Sequence, residues 1–271
     1  MDVVALTGIL TGIGLLTGMT TVLFGFGGGF VAVPVVVWAD AALGADAMRV
    51  ATATSALVMV VNAGFATAVT PRRVLRALRG SGPLLLLLAV GAAAGAAATR
   101  LAPADTARWA FVAYVALTIA DLLLRPGFLR PCTRDEAVPD APRPLPAALG
   151  APVGAVAAFL GVGGSVMTVP AMRRAGHTMR VATALANPLT LAIALPATVV
   201  SLCGAAVPAT VDAHVRLVGL VDLRAASALL LGALPVIAVL RRRPPRIPDR
   251  AHAWAYIGLL AMVTVAMPLA A

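Results

Sequence analysis

The run Gly25-Phe-Gly-Gly-Gly-Phe-Val-Ala-Val-Pro34 interrupts an apolar stretch that extends from Val3 to Ala39. As one helix that stretch would be about 55 Å long at ~1.5 Å per residue. The hydrocarbon of a bilayer is only ~30 Å thick, so the stretch must bend or break. The glycines Gly25, Gly27, Gly28 and Gly29 say where, because glycine weakens a helix and admits backbone that other residues avoid. The same reasoning marks a second break at Gly161-Val-Gly-Gly-Ser165, which runs on as Val-Met-Thr-Val-Pro170.

The solvent implied by these runs is lipid. Hydrophobic residues make up 61% of the chain and charged residues 12%, with a mean hydropathy of +0.96. A soluble domain carries about a quarter charged residues. The net charge is +10 and every basic residue is Arg, but the arginines stand between apolar runs without interleaved aromatics. That excludes a nucleic-acid surface and fits basic loops beside membrane helices. Cys132 and Cys203 have no metal-ligand spacing, and no cofactor is expected. The first residues lack a basic leader and read as the first membrane segment.

Further apolar runs follow at Val50–Thr70, Pro83–Thr99, Ala104–Leu124, Leu145–Leu160, Val181–Cys203, Ala225–Leu240 and Ala251–Ala271. Most suit a membrane span of roughly 20 residues. The pieces after the two breaks, Phe30–Ala39 and Val166–Met172, are too short. The polar, proline-rich stretch 125–144 divides the chain into a first membrane repeat, 1–124, and a second, 145–271, and reads as a cytoplasmic linker.

The two parts resemble each other. The glycine runs align, Arg49-Val-Ala-Thr-Ala53 matches Arg180-Val-Ala-Thr-Ala184, and Trp109 pairs with Trp254. Duplicated halves mark many secondary transporters. Arginine placement decides their orientation. With four spans per half the arginines divide almost evenly between the two sides. If each glycine break is instead a turn between two membrane elements, only Arg49, Arg100, Arg108, Arg216 and Arg224 lie on one side, and the remaining sixteen of 21 lie on the other. That is a positive-inside bias. The expected fold is therefore an all-α polytopic membrane protein of two inverted repeats. Each has about five elements including a glycine-broken half-helix, with both termini outside.

The breaks are also the expected site. Free amides at a helix start, with the helix dipole, suit an anion, and glycine lets backbone approach it. The candidate substrate-binding residues are Gly25, Gly27, Gly28, Gly29, Gly161, Gly163, Gly164 and Ser165. Thr54, Ser55 and Asn187 join them, with Thr52, Thr183 and Asn62 as further polar groups nearby. The bland alternatives are tight helix packing for the glycines and helix back-bonding for the hydroxyls. Asp121 suggests an ion pair with Arg125. His177, His214 and His252 read as solvated.

At GFGGGFVAVP and GVGGSVMTVP, each followed by RVATA, the sequence resembles the TauE/SafE sulfite exporter family over nearly its whole length. The resemblance implies multi-pass transport of sulfur-containing anions such as sulfite or organosulfonates. The halves are not chemically equivalent: Ser165 stands opposite Gly29, and Leu185-Ala186 opposite Thr54-Ser55. The reading is thus a transporter in the cell inner membrane, not an enzyme. Its expected partners are a small anion and lipid, no nucleic acid, and a homo-oligomer is compatible with it. Two alternatives are a non-transporting membrane subunit and an intramembrane hydrolase using Ser165, which lacks a base nearby in sequence.

Overall fold

The computed structural model describes residues 3–125, 127–129, 146–203 and 217–269. Most of the stretch read as a linker lies outside them, as do Cys132, His214 and Arg216. The described chain is almost entirely helical. The helices are α1 (Val3–Phe24), α2 (Gly29–Ala39), α3 (Ala47–Ala68), α4 (Arg72–Leu75), α5 (Gly82–Leu101), α6 (Ala104–Leu124), α7 (Gly150–Leu160), α8 (Ser165–Arg174), α9 (Met179–Leu202), α10 (Leu223–Arg242) and α11 (Asp249–Leu269). Seven of them are long and apolar enough to cross a membrane: α1, α3, α5, α6, α9, α10 and α11. Together these make an all-α polytopic membrane protein.

Both glycine runs break the chain. Gly25, Gly27 and Gly28 have φ of 76°, 64° and 84°, and Gly161 and Gly163 have 70° and 69°. A side chain is disfavoured at each, so the sequence ends one helix and starts the next there. The proline inside each short helix does not end it. α2 continues beyond Pro34 to Ala39, and α8 beyond Pro170 to Arg174. Pro170 leaves the Val166 carbonyl without its amide, and the Tyr256 hydroxyl donates to Ser165 O at 3.1 Å and lies 3.5 Å from Val166 O.

Helices α3 and α9 form the centre and pack on each other. Around them α1 lies along α10 and α7 along α5. Small residues allow these contacts. A Cβ on Gly91 or Gly95 would run into the carbonyls of Ala151 and Ala155, and one on Gly232 into that of Thr11. Close backbone approach of this kind holds membrane helices together where apolar burial alone cannot. Leu86, Leu117, Leu231 and Met262 point outward, as residues facing lipid do. Among the buried aromatics, Phe26 stacks on Phe30 at 4.9 Å and touches Tyr256 at 5.1 Å, and Phe30 stacks on Phe111 at 5.8 Å.

The helix ends sort onto two faces. Arg49 at the start of α3 donates to Ala102 O after α5 at 3.2 Å. Arg100 at the end of α5 donates to Val200 O near the end of α9. Arg108 on α6 reaches Pro268 O on α11 at 2.8 Å. The start of α3 and the end of α9 therefore share a face. At the other end Asp121 pairs with Arg125 at 3.1 Å, as expected, and also with Arg174 at 2.6 Å. A short hairpin, β1 (Leu217–Val218) and β2 (Val221–Asp222), precedes α10.

Candidate functional site

The two breaks meet at the middle of the bundle. A Cβ on Gly27 would lie 2.9 Å from Thr190 Cγ2 and 3.2 Å from Met59 Cγ, and one on Gly163 would lie 3.0 Å from each of Met59 Sδ and Thr190 Cγ2. Met59 and Thr190 stand equally far along the chain from Arg49 and Arg180, the starts of the matching RVATA motifs. Both are fully enclosed. The outer ends of the breaks cross over. Gly25 packs on Thr183 of α9, and Gly161 packs on Thr52 of α3. Each break thus rests on the RVATA threonine of the other part of the chain.

The hydroxyls hold this junction together. Ser55 Oγ donates to Gly161 O at 2.7 Å and lies 3.3 Å from Gly29 O. Thr190 Oγ1 donates to Gly25 O at 3.3 Å. Thr54 Oγ1 accepts from the Asp222 amide at 2.9 Å, tying α3 to the start of α10. Thr52 and Thr183 bond back to Arg49 O and Arg180 O within their own helices. Ser55 and Thr54 therefore spend their hydroxyl groups on the protein in this state.

Other buried polar atoms at the breaks make no hydrogen bond among the described residues. They are both amide atoms of Asn62, Asn187 Oδ1, Ser165 Oγ and Thr168 Oγ1. Asn62 and Ser165 have no exposed surface. The Asn62 amide nitrogen would lie 2.8 Å from a Cβ on Gly28, so it faces the turn that starts α2. Asn187 donates to Thr183 O at 3.2 Å, leaving its oxygen free. Native proteins leave few buried polar groups without partners, and each costs about 1–3 kcal/mol. The equivalent of Asn62 in the second half is Ile193, which lies beside Gly164. The halves also differ in backbone, since Gly28 is left-handed and Gly164 has φ of −77°.

One histidine differs from the expectation of solvation. His252 is buried, and its Nε2 lies 2.5 Å from Leu23 O, just before the first break. Its position at the start of α11 made it look like a loop residue. The fold turns that helix end inward over Phe24, whose ring centroid is 5.6 Å from the imidazole. No group of three or more metal-ligating side chains occurs among the described residues.

Two cavities lie beyond the breaks, at opposite ends of the central helices. One, of about 640 Å³, is lined by Arg180, Thr183, Arg241, His252, Thr70 and Val22, among others. The other holds only about 10 Å³ and is lined by Arg49, Thr52, Arg100, Ser201 and Ala158, among others. Sequence reasoning found Thr52 and Thr183 but missed Arg100 and Arg241, which lie outside the matching motifs.

Compared with known families, residues 10–267 match the family described as "Sulfite exporter TauE/SafE". No curated protein and no solved structure matches the chain.

Proposed function

Because the chain belongs to the TauE/SafE sulfite exporter family, whose members are membrane transporters rather than enzymes, we propose that it moves a small sulfur-containing anion. Sulfite or an organosulfonate is the substrate class, and the site lies between the glycine breaks. The two parts, 1–124 and 145–271, act as inverted repeats joined by a cytoplasmic linker. The arginine-rich face is cytoplasmic, in the cell inner membrane. The reciprocal packing of Gly25 on Thr183 and Gly161 on Thr52 supports a two-fold relation between the parts, because matching positions make matching contacts.

One observation carries the reading. Both breaks converge on Met59 and Thr190, and buried polar atoms of the breaks and of α3 and α9 make no hydrogen bond among the described residues. The first amides of α2 and α8 have no intrahelical acceptor and give the positive end of a helix dipole. The Asn62 amide and the Ser165 hydroxyl supply hydrogen-bond donors that no described residue engages. An oxyanion with several acceptor oxygens satisfies these groups together. Met59, an unbranched and adaptable side chain, fills the space between the breaks until the solute displaces it.

Proteoliposomes supply the test. Sulfite flux is measured for the wild type, Asn62→Leu and Gly28→Leu. Asn62→Leu removes two unpartnered polar atoms with little change of volume, so the fold is expected to gain stability. Its flux is expected to fall about tenfold or more, the equivalent of ~1.4 kcal/mol in binding. Gly28→Leu places a side chain on the Asn62 amide and is expected to abolish flux. Full transport in both variants would refute the site.

A further inference from the structure

The two cavities are built from matching residues. Arg180 and Thr183 line the large one, and Arg49 and Thr52, from the other RVATA motif, line the small one. Arg241 and Arg100 are each the penultimate residue of a helix, α10 and α5. Thr70 and Ser201 stand equally far beyond the two motifs, and Val22 and Ala158 each precede a glycine break by the same interval. The two cavities nevertheless differ greatly in volume. At about 640 Å³ the first admits a solvated ion. At about 10 Å³ the second has room for about one water.

The arginines differ in the same way. Around the small cavity their terminal nitrogens are committed to protein, although Arg49 Nε and Arg100 Nε make no hydrogen bond among the described residues. Arg100 donates to Val200 O and Cys203 O, and so clamps the last turn of α9. Arg49 pairs with Asp46 at 3.1 Å and reaches Ala102 O. Around the large cavity Arg241 Nε and Nη2 are shielded and make no hydrogen bond among the described residues. Arg180 lines the same cavity, so the two like charges face one space. Arg73 and His252 line the same space, and no carboxylate lines it among the described residues. Guanidinium groups without a carboxylate partner are strong, bidentate ligands for an oxyanion.

We propose that Arg180 and Arg241 capture the sulfonate or sulfite anion in the open vestibule, and that Arg49 with Arg100 is the matching capture site at the opposite face, shut here by the grip of Arg100 on α9. In the alternate state Arg100 releases Val200 and Arg241 takes the corresponding carbonyls at the end of α3, closing the vestibule behind the solute. Repeats that rock against a fixed central site exchange their two ends in this way. The alternation rests on the transport reading above, whereas anion capture by Arg180 and Arg241 does not.

Cysteine modification tests it on the full chain, purified with Cys132→Ser and Cys203→Ser. Val22→Cys reports the open vestibule and Ala158→Cys the shut one. Modification rates are compared for the anionic sulfonatoethyl and the cationic trimethylammonioethyl methanethiosulfonates, with methanesulfonate as the protecting anion. Val22→Cys is expected to react about tenfold faster than Ala158→Cys, to prefer the anionic reagent, and to be slowed by methanesulfonate. Adding Arg180→Gln and Arg241→Gln is expected to reverse the reagent preference and remove protection. The corresponding Arg→Lys pair keeps the preference, so loss through misfolding is recognisable. Equal rates at the two cysteines, or preference and protection that survive the Gln pair, would overturn the proposal. Sulfite flux that is lost in Asn62→Leu while protection fails would condemn this inference alone. Protection at Val22→Cys without any wild-type flux would condemn the transport reading alone.

Discussion

Ser55 Oγ donates to the carbonyl of Gly161 at 2.7 Å, joining residues 106 positions apart. The same oxygen lies 3.3 Å from the carbonyl of Gly29, so one side chain on α3 touches both breaks. Its first duty is to hold them in register. Ser55→Ala leaves the buried Gly161 carbonyl without its donor, which costs about 1–3 kcal/mol. The thermal midpoint of the purified protein is expected to fall accordingly. An unchanged midpoint would mean the junction does not depend on this bond.

Gly27 and Gly163 meet two constraints at once. Their φ values of 64° and 69° disfavour any side chain, and an added Cβ would lie within 3.0 Å of Met59 or Thr190. Gly27→Ala and Gly163→Ala are each expected to destabilise by about 1–3 kcal/mol. Gly258 is the control. It sits in an ordinary helical turn of α11 with nothing within 4 Å of an added Cβ. Gly258→Ala is expected to stabilise by up to ~1 kcal/mol. A denaturation series that ranks Gly258→Ala with the other two would contradict the strain argument.

Much of this architecture was legible because membrane segments obey a length rule. α1 and α6 end where the apolar runs end, at Phe24 and Leu124. The breaks at Gly25 and Gly161 follow from arithmetic on helix length. What stayed hidden depends on contacts between distant segments. Arg100 and Arg241 correspond only once α5 and α10 are seen to be helices of matching length. His252 looked solvated because nothing in its local sequence shows that the end of α11 folds over Leu23. The anion-site reading of Ser55 could not foresee that its proton goes to Gly161 O, since that carbonyl is freed only by the break itself.

Arg173 is almost fully buried and makes a 2.7 Å ion pair with Asp249, and it also donates to Phe128 O. The other Asp249 oxygen accepts from the Met179 amide at 2.8 Å, capping α9 from the start of α11. Asp249 is only partly buried, but removing it strands the buried Arg173 charge, which costs at most about 3–5 kcal/mol. Asp249→Ala is expected to lose that amount and the cap as well. Asp249→Asn keeps an acceptor for Met179 and so is expected to be the milder variant. Urea unfolding in detergent micelles separates them, and equal losses would show that the cap contributes nothing.

Asp40 follows α2, outside the seven spanning helices, and is buried close to Asp222. Burial first, and the Asp222 charge second, raise its pKa to about 7. Here the native state holds a proton that the unfolded chain releases near the ordinary carboxylate value of 3.8. Stability is therefore greatest below that value, falls as the pH rises toward 7, and levels off above it. The slope is at most ~1.4 kcal/mol per pH unit for one proton. Asp40→Asn stays neutral throughout, so its advantage over the wild type is expected to grow between pH 5 and pH 8. Thermal midpoints recorded across that interval decide the matter: parallel curves for the two proteins would mean that Asp40 does not titrate there.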